Sequence, residues 1–389
     1  MKNILNVFKR ELGIVVSDKS ILLTILIAPL LYAFFLGSIY IYKDADQINF
    51  AVVDMDNTQT TRELYRLMDA NQKINLIGKL DSYSAGIDKM NRMKIQGFLY
   101  FPKGFEVKLK LLQGAGVNLY LNTTRFLPSN DLNNAVQTIM LTAGAGIRLR
   151  YFESKGIDPK QALELVEPIM ADVHPIYNTT NSYGNFLLPG LFLLILQQTL
   201  LIGFGESISK ENEKDGFKKL FQTAKFKISD LIIGKIGFYF FLYCAYFVFF
   251  FVIIFNFFEI PLLGSIVATI FLSLLFLFSV LFYTIFFASF FTSPKRYMEI
   301  MAFTSYPLFL ICGYSWPISA MPLPLKWLAQ TVPTTPFFNA FVKVSEMGAN
   351  FQQVSGYILH LLILILFSYI AVILRLNYLG KKFRKRINR

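Results

Sequence analysis

Six apolar stretches constrain this chain more than any other feature: residues 21–42, 186–205, 231–257, 264–292, 298–316 and 353–377. A helix needs about 20 apolar residues to cross the hydrocarbon of a bilayer, and each stretch reaches or approaches that length. Backbone in lipid must satisfy its own N–H and C=O groups, so each is expected to be an α-helix. Composition points the same way. Only 16% of residues are charged and 54% are hydrophobic, whereas a soluble domain carries about 25% charged residues. The 41 phenylalanines suit lipid-facing helices better than a soluble surface. The expected fold is an α-helical integral membrane protein with six transmembrane helices. The first stretch is too long for the apolar core of a cleavable signal and no small-residue cleavage site follows it. It reads as a retained span, with Pro29 expected to kink it.

Two segments break this pattern. In residues 1–20, Ile4, Leu5, Phe8, Leu12 and Val15 or Val16 recur at helical spacing among Lys2, Lys9, Arg10 and Lys19. That spacing predicts an amphipathic helix lying on the membrane surface. Residues 43–185 carry mixed charge and read as an inserted soluble domain of ordinary size. Strands are expected over 48–55, 73–77, 96–101 and 117–121. Helices are expected over 60–70, 82–93, 132–151 (interrupted near Gly144 and Gly146) and 159–170. Such alternation predicts a small α/β domain.

The net charge is +13, and its placement reports topology rather than nucleic-acid binding. Basic residues sit in the N-terminal segment, in the loop after the second stretch (Lys210, Lys214, Lys218, Lys219, Lys225, Lys227), after the fourth (Lys295, Arg296), and in the tail 378–389 (Lys381, Lys382, Arg384, Lys385, Arg386, Arg389). All four fall on one side of a six-span arrangement, and the short loop near Glu259 holds no Lys or Arg. By the positive-inside rule both termini are expected in the cytoplasm and residues 43–185 outside it.

The sequence argues against chemistry of its own. Gly78-Lys79 and Gly234-Lys235 lack the spacing of a phosphate-binding P-loop. The two histidines, His174 and His360, are far apart, and Cys244 and Cys312 lie in apolar runs where small buried side chains are expected. His360 falls in the last stretch, where an ionisable group is a functional candidate or a side chain satisfied by a neighbouring helix. The sequons at Asn122 and Asn178 carry no weight.

Two segments stand out. Residues 206–230 combine alternating charges (Glu206, Lys210, Glu211, Glu213, Lys214, Asp215), a break at Gly216, and the apolar stripe Phe217, Leu220, Phe221. A short helix with charges and an apolar edge suits docking to a soluble partner, and Glu211 is expected to be its most exposed contact. Residues 313–352 open on Gly313, Trp316, Pro317, Met321, Pro322, Pro333 and Pro336, with Pro324 between them. Prolines at that density break a span, so a partly re-entering hairpin is expected. Its Phe337, Phe338 and Phe341 are candidates for an apolar plug, the alternative being a hairpin that anchors the last span.

The order of these elements resembles ABC-2 type transporter permeases, in the subgroup with a large extracytoplasmic insert between the first two spans. Lys210, Glu211, Glu213 and Gly216 match that family's charged element after its second span, with Phe217 in place of the usual threonine. Gly234 and Lys235 match its Gly-Lys, and Gly313, Pro317, Met321, Pro322, Pro333 and Pro336 its proline-rich motif. Residues 52–58 and 97–105 resemble the opening strand and a later element of its insert. The resemblance implies a half-transporter in a bacterial inner membrane that pairs with a second permease, as homodimer or heterodimer. Each permease docks a cytoplasmic ATPase, two copies per complex, through Glu206, Lys210, Glu211, Glu213 and Gly216, and the complex exports a hydrophobic or amphipathic cargo, with a periplasmic adaptor as a further partner. ATP and Mg would sit on the ATPase, and no cofactor on this chain. The outer gate would comprise Gly313, Trp316, Pro317, Met321, Pro322, Pro333, Phe337 and Phe338.

Two other readings compete with this one. One is a membrane-anchored, non-transport protein whose outer domain binds a secretion partner or ligand. The other is a secondary transporter, which the lack of internal repeats and mid-membrane ion pairs disfavours.

Overall fold

The computed structural model describes residues 2–42, 47–111, 113–166, 174–180, 182–213 and 216–387. Lys214, Asp215 and Arg389 lie outside the described residues, as do residues 167–170 of the expected helix and the side chains of Lys385 and Arg386. The chain divides into two compact units, residues 1–43 with 175–389, and residues 44–174.

The first unit is helical. Helix α1 (Lys2–Ser17) precedes α2 (Lys19–Ile39), the first of five helices among the described residues that are long and apolar enough to span a membrane. Pro29 has no N–H to donate, and the turn before it widens into a π-helix, Leu23–Ile27, the kind of adjustment that relieves a proline inside a span. The later elements of this unit are α8 (Tyr183–Lys210), α9 (Gly216–Thr223), α10 (Ile228–Phe257), α11 (Ile266–Ala288), α12 (Pro294–Ile311), α13 (Leu323–Gln330), α14 (Thr334–Phe341) and α15 (Ser355–Ile387). The five candidate spans are α2, α8, α10, α11 and the Ser355–Arg384 part of α15. The stretch expected over 298–316 is α12, which is not among them. Its first turns carry Lys295, Arg296 and Glu299, and Pro307 lies inside it, so its apolar part is short. Helix α8 is buried along most of its length at the centre of the unit, whereas α15 is mostly exposed.

The second unit is an α/β domain. Strand β1 (Ile48–Asp54) pairs in parallel with β2 (Ile74–Leu80) and β3 (Gly97–Phe101), and β4 (Asn118–Leu121) pairs antiparallel with β3. Helices α3 (Gln59–Asp69), α4 (Tyr83–Asn91), α5 (Phe105–Lys110), α6 (Phe126–Ser154) and α7 (Pro159–Val166) complete it. Side chains alternate across β1, so Phe50 and Val52 join one apolar layer with Leu64, Met68 and Leu132, while Ala51 and Val53 join another with Ile95 and Phe98. The helix expected over 132–151 begins earlier and runs without a break through Gly144 and Gly146. The six-residue α5 carries too little periodicity to be read from sequence.

Candidate functional site

Three elements converge at the end of the helical unit that holds Lys210. Helix α1 lies along α10 because Gly234 gives it room: a Cβ there would come within 2.6 Å of Val7 Cβ and 2.8 Å of the Ile4 carbonyl. The buried face of α1 is Val7, Glu11 and Val15. It is therefore a packed helix with a carboxylate on its buried face, while Leu5, Leu12 and Val16 stay exposed on the other.

That close approach assembles a closed ion network. Lys235 Nζ, with 0% side-chain exposure, lies 2.5 Å from Glu11 Oε2 and 2.7 Å from Glu211 Oε1. It donates to Ser207 Oγ at 3.0 Å, and Ser207 donates onward to Glu11. Tyr239 Oη donates to Glu11 Oε1 at 2.9 Å. The Arg10 guanidinium forks onto Glu211 at 2.5 and 2.8 Å, the bidentate geometry that makes such pairs strong. Two cations and two carboxylates balance, which is what allows Glu11, Glu211 and Lys235 to be buried, with Arg10 24% exposed at the edge. Burial works against the charge on Glu211, but Lys235 and Arg10 outweigh it and hold its carboxyl below the usual range. Burial likewise opposes the Arg10 charge, and the Glu211 hydrogen bond and charge outweigh it, raising Arg10 above its usual value.

A second layer surrounds this core. Lys210 pairs with Asp18, and with Glu206 at 3.0 Å, and Ser20 donates to Glu206 at 3.1 Å. Asn212 donates to the carbonyls of Ser289 and Phe291 at 3.1 and 2.7 Å, joining the segment after α8 to the loop after α11. Gly216 opens α9, where a Cβ would lie 2.9 Å from Glu211 Cα.

The expected docking residues are thus brought together, but in different roles. Glu211, expected to be the most exposed, is 2% exposed because two cations enclose it. Glu206 is also buried, and of the three glutamates only Glu213 is exposed. The stripe Phe217, Leu220, Phe221, expected to face a partner, is buried within the chain, with Phe221 against Phe383 of α15. What remains open is a cleft of about 460 Å³ whose lining includes Glu206, Lys210, Glu213, Lys295, Met298 and Glu299. Sequence reasoning missed Glu11 and the interior position of Lys235. The available signal was a carboxylate at helical spacing between Val7 and Val15, together with a lysine four residues into a predicted span.

At the other candidate segment the prolines break the backbone as expected. Gly313 adopts φ +93° and turns the chain out of α12. Tyr314 fits the space beside Gly190, which a side chain would fill; its hydroxyl accepts from the Gly190 amide at 3.1 Å and donates to the Phe186 carbonyl. Phe337 and Phe338 are fully buried, and Phe337 stacks on Phe276 at 3.8 Å between centroids. Thr334 donates to Gln197 at 2.9 Å. These phenylalanines are a wedge in the chain's own core, and the expected plug has no exposed face on them. Met321 and Pro333 are buried, Pro317 and Pro322 exposed, and Trp316 is 58% and Trp327 70% exposed. His360 Nε2 donates to the Gln330 carbonyl at 2.9 Å, so a neighbouring helix satisfies it.

A family model described as ABC-2 family transporter protein matches residues 19–374. No curated protein matches the chain.

Proposed function

We propose that this chain, a member of the ABC-2 transporter family, is the permease subunit of an ATP-driven exporter in a bacterial inner membrane, with both termini and the Lys210 end in the cytoplasm. It pairs with a second permease, and each of the two docks one copy of a separate ATPase, which holds ATP and Mg, at its cytoplasmic end. The α/β domain lies outside the cytoplasm, and the cargo is hydrophobic or amphipathic.

The observation that carries this reading is the buried network of Arg10, Glu211, Lys235 and Glu11. It clamps Glu211, just after α8, to α1 and α10, so displacing Glu211 moves three elements together. A satisfied polar network in a dry interior is rigid, and that rigidity is what a coupling device needs. The contact surface for the ATPase is the exposed rim of Glu213 and the cleft beside it, with Glu206, Lys210, Glu211 and Gly216 as its support. At the outer end, the Gly313–Pro336 hairpin caps the path through its exposed Trp316 edge, held in place by the Phe337–Phe338 wedge.

The test is charge reversal of Glu213 to Arg in the full complex. Loss of ATPase co-purification with normal membrane insertion is expected. Unchanged co-purification and export would overturn the docking surface. A chain that retains no ATPase at all, with its outer domain holding a ligand, would support the non-transport reading instead.

A further inference from the structure

Some charged groups at the Lys210 end are paired: Arg10 and Lys235 in the network, Lys210 with Asp18 and Glu206. Among the other cations there, one group is drawn together by helix packing. Phe221 lies beside Phe383 with ring centroids 6.3 Å apart, and its ring lies 3.3 Å from where a Cβ on Gly380 would be, so α9 packs against the last turns of α15. The Arg384 guanidinium sits over Phe226, 5.7 Å from its centroid, between Lys225 and Lys227 in sequence. Packing therefore gathers Lys219, Lys225, Lys227, Lys381, Lys382 and Arg384 from two segments far apart in the chain, and all six are exposed. None of their side chains has a carboxylate partner among the described residues. The acid nearest in sequence, Asp230, accepts from Asn3 at 3.0 Å.

The exposed face of α15 continues from this patch in a graded way. Tyr378 is 61% exposed one turn before Lys381 and Lys382, and Leu374, Ile370 and Phe367 follow on the apolar side, also exposed. An aromatic residue at the interface, apolar side chains beyond it and unpaired cations before it match the profile of one phospholipid: acyl chain, glycerol level, headgroup.

We propose that this face binds an anionic phospholipid headgroup of the cytoplasmic leaflet, with the acyl chains along α15. The leaflet rests on the orientation given under Proposed function; the site itself does not. Topology alone needs cations somewhere in these loops, not their assembly by the contact of α9 with α15.

The test uses the full chain purified in mild detergent, incubated with phosphatidylglycerol or phosphatidylcholine of the same acyl chains and analysed for bound lipid by native mass spectrometry. Preferential retention of phosphatidylglycerol is expected, weakening with salt and by about fivefold for each cation removed. The combined variant Lys225→Gln, Lys227→Gln, Lys381→Gln, Arg384→Gln should lose the preference, and Lys→Arg changes at the three lysines should keep it. Neutralising Lys2 and Lys9 instead should leave it unchanged. Equal retention of the two lipids, or undiminished preference in the Gln variant, overturns the proposal. If the Gln variant keeps its lipid but no longer co-purifies with the ATPase, the patch is a protein contact and the lipid site is refuted while the permease reading stands. Should the Gln variant not be recovered, salt-insensitive retention by the unaltered protein overturns the proposal by itself.

Discussion

Tyr297 of α12 lays its ring over Gly205 of α8, in space that any β-carbon at 205 would occupy, and its hydroxyl donates to the Leu201 carbonyl at 2.8 Å. This contact joins α12, of which only Pro294, Tyr297 and Phe309 are buried, to α8, the most buried of the candidate spans.

Gly205→Ala should therefore lose about 1–3 kcal/mol, because overpacking a filled interior forces backbone or ring to move. Tyr297→Phe removes only the hydrogen bond and should cost about 1 kcal/mol. Thermal unfolding of both variants in the same detergent checks the order; equal losses would mean that the ring is free to shift.

Lys235→Met should be far more damaging, by about 3–5 kcal/mol, because it leaves Glu11 and Glu211 buried with Arg10 as their remaining cation. Adding Glu11→Gln should recover part of that loss, since the removed charges balance again. A double-mutant cycle in melting free energy measures the recovery, and strictly additive losses would show that the two side chains do not interact.

Five of the six expected spans were readable because length and apolarity are local properties, and the β-strands because they are bounded by turn residues. The network was not. Glu11 reads as part of a charged amphipathic segment until Lys235 is known to face it, and that contact depends on Gly234 admitting α1. Phe217, Leu220 and Phe221 misled for a related reason: an apolar stripe reveals that a helix face is covered, not what covers it. Here the cover includes Gly380 and Phe383 from the far end of the chain. Phe337 likewise could be placed near a break but not inward onto Phe276.

Residues 45–180 expressed alone should fold cooperatively, since the sheet has apolar layers of its own on both faces. Asp54 adds a pH dependence. Burial opposes its charge, but the Asn57 amide, the Thr61 hydroxyl and Lys79 outweigh it and hold the carboxyl below its usual value. A depressed carboxyl stabilises above its unfolded pKa, and that stability is lost as pH falls through the folded value. The domain should thus weaken in acid below about pH 4, and Asp54→Asn should flatten that limb. Identical acid profiles for both proteins would remove Asp54 from the account.

Phe337→Ala should lower stability by about 3–5 kcal/mol by leaving a cavity against Phe276. Trp327→Ala, at a 70% exposed position, should change it by less than about 0.5 kcal/mol. Melting curves separate the two. If Phe337→Ala altered export while leaving stability intact, a mobile gate at this position would replace the wedge.

Glu346 supplies the opposite sign of pH response. It lies at the end of the π-helical turn Val342–Glu346, half-buried, with Oε1 3.5 Å from the Tyr314 hydroxyl, and burial pushes its carboxyl up to about 7. Because the folded state holds this proton more tightly than the unfolded chain, the stabilisation is complete below the unfolded value of about 4.3 and is lost as pH rises through about 7. The protein should be more stable at pH 5 than at pH 8, by an amount on the order of 3 kcal/mol if Glu346 alone accounts for it. Glu346→Gln keeps a neutral polar side chain beside Tyr314 at every pH. It should match the unaltered protein at pH 5, exceed it at pH 8, and lose the slope between. Melting temperatures across that range are the measurement. A Glu346→Gln protein with the same slope as the unaltered chain would place the titrating group elsewhere.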